Sequence, residues 1–91
     1  MARIAEAELP FVQRLILRCV REEPGRFPRS GLAKLLAGSD SRHMQELRDH
    51  PFYGRLRQYR RRDVLHHVAV LLQQGYLALD GDEHVIPAPV A

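Results

Sequence analysis

The chain has 91 residues, 45% of them hydrophobic, and 14 Lys and Arg against 11 Asp and Glu give a formal charge of +3. That length leaves no room for an ATPase motor or a two-domain dehydrogenase, and no apolar run approaches the ~20 residues of a membrane span. The start, Met1 to Glu6, is too acidic for a secretory leader, and the single Cys19 forms no internal disulfide, so a one-domain (1–91), cytoplasmic chain is expected.

Taken in order, the first helix is expected over about 9–23, opened by Leu9-Pro10 and closed by Pro24-Gly25. Val12, Leu15, Ile16, Cys19 and Val20 follow the i, i+3, i+4, i+7, i+8 spacing of one buried face, which makes Cys19 a packed thiol. Arg14, Arg18 and Arg21 share the opposite face. Arg26 to Arg29 reads as extended, because the residue before a proline avoids the helical region. A second helix is expected over about 30–37, capped by Ser30 and stopped by Gly38. A third follows over about 41–48, capped from Ser39, Asp40 or Ser41 and broken by His50-Pro51.

The last helix is expected over about 59–74 and ends at Gly75. Val64, Leu65, Val68, Leu71 and Leu72 form its core face; Tyr59, Arg62, Asp63, His66, Val70 and Gln73 point outward, with His67 and Gln74 beside them. Residues 76–86 read as a β-hairpin with an Asp80-Gly81 turn. The fold class is therefore mostly α with a small β-hairpin (α+β), in the element order of a winged helix, the helix-turn-helix variant with an appended hairpin.

Charge is distributed unevenly along this order. Residues 1–25 balance four Arg with four Glu, residues 26–62 hold ten cations against three acids, and residues 63–91 hold four acids and no Lys or Arg. A +7 middle beside a −4 tail is the usual footprint of a phosphate binder, and charge alone fits equally well Arg side chains that merely decorate a solvated surface. Arg55, Arg57, Arg60, Arg61 and Arg62 form a run over a loop and the following helix start, either simply solvated or, because cations there oppose the helix dipole, held against phosphate, the reading preferred.

Enzymatic and metal chemistry find no support. No Gly-rich phosphate loop is present, and adjacent His66 and His67 diverge by ~100° on a helix, so they do not share one ion. Ser30, Ser39 and Ser41 suit caps or phosphate contacts better than nucleophiles, and the acid pairs Glu22-Glu23 and Asp82-Glu83 read as solvated charge. No cofactor, metal or catalytic residue is expected.

Leu32 to Ser39, then Tyr53-Gly54, then Val64 to Leu72 followed by Gly75-Tyr76-Leu77 carry a pattern that resembles the RQC winged-helix domain of RecQ-family DNA helicases. The resemblance implies a non-catalytic DNA-binding module, binding duplex or branched DNA and placed beside a helicase motor core, with roles in DNA repair and recombination near the nucleoid. It also implies that Gly38, Ser39 and Ser41 contact the DNA backbone, with Lys34 and Arg42 as neighbouring candidates. The hairpin tip departs from the family's strand-separating wedge, being acidic and without an aromatic. The candidate DNA-binding set is Arg29, Lys34, Ser39, Ser41, Arg42, Arg55, Arg57, Arg60, Arg61, Arg62 and His66. Two other functions fit the same elements: a protein-interaction winged helix docking through the outward face of the last helix, Val70 included, and a free-standing regulator in which Arg62 and His66 read bases.

Overall fold

A computed structural model describes residues 5–89, so the two ends of the expected 1–91 domain, Arg3 included, lie outside the described residues. A 3-10 turn, Glu6–Glu8, leads to α1 (Phe11–Glu22). Pro10 caps α1 from outside in an extended conformation, so the helix begins two residues later than its apolar pattern suggests. The predicted stripe is buried, and so are Leu17 and Gln13, because α1 packs against both the last helix and the hairpin. Gln13 is satisfied across the core: its Nε2 donates to His67 Nδ1 at 3.1 Å. Cys19 is fully buried, and burial, helped by Glu23 and Glu22, pushes its thiol up to about 12.

Helix α2 (Arg29–Ala37) starts on Pro28, which replaces the expected Ser30 cap, and no side chain caps its first turn. Its end matches the expectation for Gly38. With φ +72°, Gly38 lets its own N–H and that of Ser39 reach back to the carbonyl of Lys34. The expected third α-helix is instead a 3-10 segment, Arg42–Leu47, followed by overlapping turns through residue 59. Met44 and Leu47, three apart, both face inward, and that spacing suits three residues per turn as well as 3.6. Phe52 and Leu56 then enter the core.

Helix α3 (Arg61–Gln73) begins at Arg61, so Tyr59 is not on it and packs half-buried against the core instead of pointing outward. Val64, Val68 and Leu71 are buried; Leu65 and Leu72 are only partly so, while Val70 and His67, expected outside, are half-buried. β1 (Leu77–Leu79) pairs antiparallel with β2 (Val85–Pro87), Ala78 opposite Ile86. The extended linker between α1 and α2 completes the sheet on the other edge of β2. Gly25 N–H donates to Val85 O at 2.9 Å, Val85 N–H donates to Phe27 O at 2.8 Å, and Pro28 bridges to His84. His84 adds a side-chain bond, Nδ1 donating to Gly25 O at 2.8 Å.

The expected solvated acid Glu23 is instead an anchor at the end of α1, engaging both Arg26 and His50 Nε2, while Phe52 N–H donates to His50 Nδ1. The hairpin turn also differs from a two-residue Asp-Gly reversal. Asp80 Oδ1 accepts the N–H groups of Asp82 (2.9 Å) and His84 (3.0 Å), and the left-handed residue is Glu83, not Gly81. Those two amides hold the Asp80 carboxyl below its ordinary range. A depressed folded pKa stabilises the turn above the ordinary aspartate value and ceases to do so as pH falls through the depressed one. Protection of the Asp82 and His84 amides, taken relative to the unstructured exchange rate at each pH, is therefore expected to fall as pH drops through that lowered range in the native protein and to be lost at neutral pH in Asp80→Ala; pH-independent protection would contradict it.

Candidate nucleic-acid interface

Two exposed surfaces collect the candidate residues. The first is built on α3. Arg61, Leu65 and Ala69 succeed each other at four-residue spacing along one line of the helix, and Arg62 and His66 along the next. Arg61, Arg62 and His66 are all exposed. Pro28, which precedes α2, and Arg29 and Ser30 of α2 lie beside Leu65 and Ala69, and Glu83 of the hairpin closes a groove of about 430 Å³ between them. Arg29 is thus brought to α3 by the packing of α2 across it, although 32 residues separate it from Arg61 in sequence. Arg60 stands at the cap position, its N–H donating to Asp63 Oδ2 at 3.2 Å. Three consecutive Arg side chains therefore crowd the positive end of α3 with one carboxylate among them.

The second surface lies at the C-terminal end of α2. The chain returns along this end, with Gly54 N–H donating to Leu35 O (2.9 Å) and Leu56 N–H to Leu36 O (2.8 Å). Gly38 and Gly54 touch so closely that a Cβ on Gly38 would sit 3.2 Å from Gly54 Cα. Tyr53 Oη donates to Ser39 O at 2.9 Å, and Arg57 Nε to Gly54 O at 3.2 Å. The Gly-Ser and Tyr-Gly pairs, distant in sequence, are two halves of one contact. Gly38, Asp40, Arg48, Tyr53 and Arg57 line a shallow depression of about 360 Å³ there. Arg48, which spacing alone did not single out, joins it through Asp40 at 3.5 Å.

The remaining candidates divide between these surfaces or stand apart. Lys34 is half-buried in the last turn of α2, where a cation suits the helix end. Arg55 lies over the Phe52 ring, 5.7 Å from its centroid. Arg42 is exposed at the head of the 3-10 segment, and no hydrogen bond, ion pair or ring contact ties it to either surface among the described residues. The serines sit differently from the exposed hydroxyls expected of backbone contacts. Ser39 Oγ accepts Ser41 N–H at 3.2 Å, and Ser41 Oγ is buried without a hydrogen-bond partner among the described residues. His67 faces Gln13, and burial, reinforced by His66, lowers its pKa, so its neutral form persists where His66 stays in solvent.

Ion pairing separates the basic band from the rest of the surface. On α1, Arg18 pairs with Glu22 and Arg21 with Glu6. Of the ten cations between residues 26 and 62, only Arg26 and Arg48 meet a carboxylate among the described residues. The other eight are left without a counter-ion on the protein, an arrangement suited to an external polyanion.

Three helices, with α3 packed against α2 and α1, and a hairpin whose second strand is bonded to the α1–α2 linker make this protein a winged helix. A family model for the RQC domain matches residues 12–88, and the chain belongs to that family. Comparison with curated proteins and with solved structures gives no match. No helix among the described residues is long and apolar enough to cross a membrane.

Proposed function

We propose that this RQC domain is a non-catalytic module that binds duplex or branched DNA through its phosphates, with little base selectivity, as an accessory or C-terminal domain beside a RecQ-like helicase motor core. The observation that carries the reading is the set of eight cations without carboxylate partners among the described residues; Arg60, Arg61 and Arg62 follow one another at the start of α3, and Arg29 lines the groove beside Leu65 and Ala69 of the same helix. Guanidinium groups bind phosphate oxygens in a fixed two-pronged geometry and carry no sequence information when they do so. The docking alternative loses its apolar anchor, since Val70 is half-buried.

Affinity is expected to fall with salt. If four or five phosphates are engaged, a plot of log affinity against log salt has a slope of about −4 for a duplex. Fluorescence anisotropy with labelled duplex, forked and single-stranded oligonucleotides measures this directly, and an affinity that stays flat between low and physiological salt defeats the proposal.

A further inference from the structure

Glu83 is the one non-glycine residue with a left-handed backbone among the described residues, at φ +62°. Gly81, two positions earlier, adopts that region at no steric cost, yet its φ is not positive. Strain of this kind persists only where the surroundings impose it. Here they are the Asp80 carboxylate, which holds the amides of Asp82 and His84, and the bond from Glu83 N–H to Asp80 O at 3.0 Å. The outcome is that Glu83, rather than glycine, occupies the rim of the groove lined by Pro28, Arg29, Ser30, Leu65 and Ala69.

Across that groove Arg29 and Glu83 face the same space, and neither is engaged in an ion pair among the described residues. A phosphate drawn to Arg29 must therefore enter the field of the Glu83 carboxylate, whose backbone the Asp80 turn holds at the rim. Like charges a few ångströms apart at a surface repel measurably at low salt, and the repulsion is screened as salt rises.

Resting on the DNA-binding reading above, we propose that Glu83 is a charge gate on this groove: it repels backbone phosphate approaching Arg29 and confines tight phosphate contact to the Arg60–Arg62 end of α3. The wing then acts as an element of exclusion. It disfavours a strand lying along Leu65 and Ala69, and leaves the positive end of α3 as the point of entry.

The test measures binding of one labelled duplex of about 20 base pairs to the full chain at about 50 mM salt, in five variants. Glu83→Gln keeps the backbone and removes the charge; it is expected to bind about threefold to tenfold more tightly than the native chain. Asp82→Asn removes the same charge from the neighbouring residue, which does not line the groove, and is expected to stay within about twofold. Adding Glu83→Gln to Arg29→Ala is expected to bring no gain over Arg29→Ala alone. Glu83→Gly removes charge and strain together, so it is expected to bind like Glu83→Gln and to melt at a higher temperature. Equal affinity of Glu83→Gln and the native chain overturns the gate, as does an equal gain in Asp82→Asn or a gain that survives the loss of Arg29. If the native chain and Glu83→Gln both fail to bind, the DNA reading falls and the gate with it. Native binding with no gain on neutralisation removes the gate alone.

Discussion

Replacing Arg60, Arg61 and Arg62 together by alanine is expected to weaken duplex binding about 100-fold near 0.1 M salt and to flatten the salt slope by about 2.7, that is, by about 0.9 for each phosphate no longer neutralised. The same substitution is expected to leave the melting temperature unchanged or to raise it slightly. These side chains are exposed, make no ion pair among the described residues, and crowd the positive end of α3. Cations at that end cost roughly 0.3–1 kcal/mol each, so alanine relieves the helix while it removes the phosphate contacts. The opposed directions separate function from folding: weaker binding in a protein that melts no earlier cannot be blamed on unfolding. Anisotropy titrations at several salt concentrations, with circular dichroism melts beside them, give both readouts. An unchanged slope in the triple variant would falsify the placement of the interface on α3.

The second large effect concerns the backbone meeting at the end of α2. Gly38→Ala forces a Cβ into the left-handed region at φ +72° and to 3.2 Å from Gly54 Cα, where the obstacle is backbone rather than a side-chain tip. A loss of about 2–3 kcal/mol is expected, lowering the melting temperature by roughly 10–20 °C in a domain of this size. Gly75→Ala isolates one component, since φ is +85° but nothing lies within 4 Å of the added carbon; about 1 kcal/mol is expected there. Gly81→Ala meets neither obstacle and is expected to be close to neutral, within about 0.5 kcal/mol. Denaturant melts of the three variants check the order. If Gly38→Ala costs no more than Gly75→Ala, the close approach to Gly54 contributes nothing.

These glycines illustrate what the amino-acid order conveys. Gly38 and Gly75 are legible as helix stops because left-handed C-caps are local events, decided within one turn of chain. Each apolar stripe is legible for the same reason, and so is the succession of helices and hairpin. What fails is anything settled by a partner far along the chain. Gln13 is buried because His67, 54 residues away, accepts a hydrogen bond from its amide, and Glu23 is an anchor because His50 folds back onto it. The segment 42–47 is too short for a period of 3.6 to be told from one of 3.0, so its sequence reads as an α-helix where the fold makes a 3-10 segment. The Asp80-Gly81 pair suggests the tightest turn, and the carboxylate of Asp80 selects a wider one by capturing two amides.

The candidate interface divides along the same line. Regional charge located it, because an excess of Arg over acids survives any fold that keeps those side chains in water. The particular neighbours were out of reach. Arg29 joins α3 only through helix packing, Arg48 enters through Asp40, and Ser41 carries a hydroxyl that the fold turns inward. A serine in a polar loop offers no sequence cue to that orientation.

The linker that closes the sheet also dictates an order of assembly. Gly25, Phe27 and Pro28 pair with His84 and Val85, residues nearly sixty positions later, whereas the contacts of the α2 turn span about twenty. Closing so long a loop is entropically unfavourable until the helices between its ends are compact. The pairing of the linker with β2 is thus expected to form late, together with the α1–α3 contacts, which span a similar stretch of chain. In a chain emerging from the ribosome, α1 to α3 are able to collapse while the linker waits, its strand unmatched, for the C-terminal hairpin to arrive.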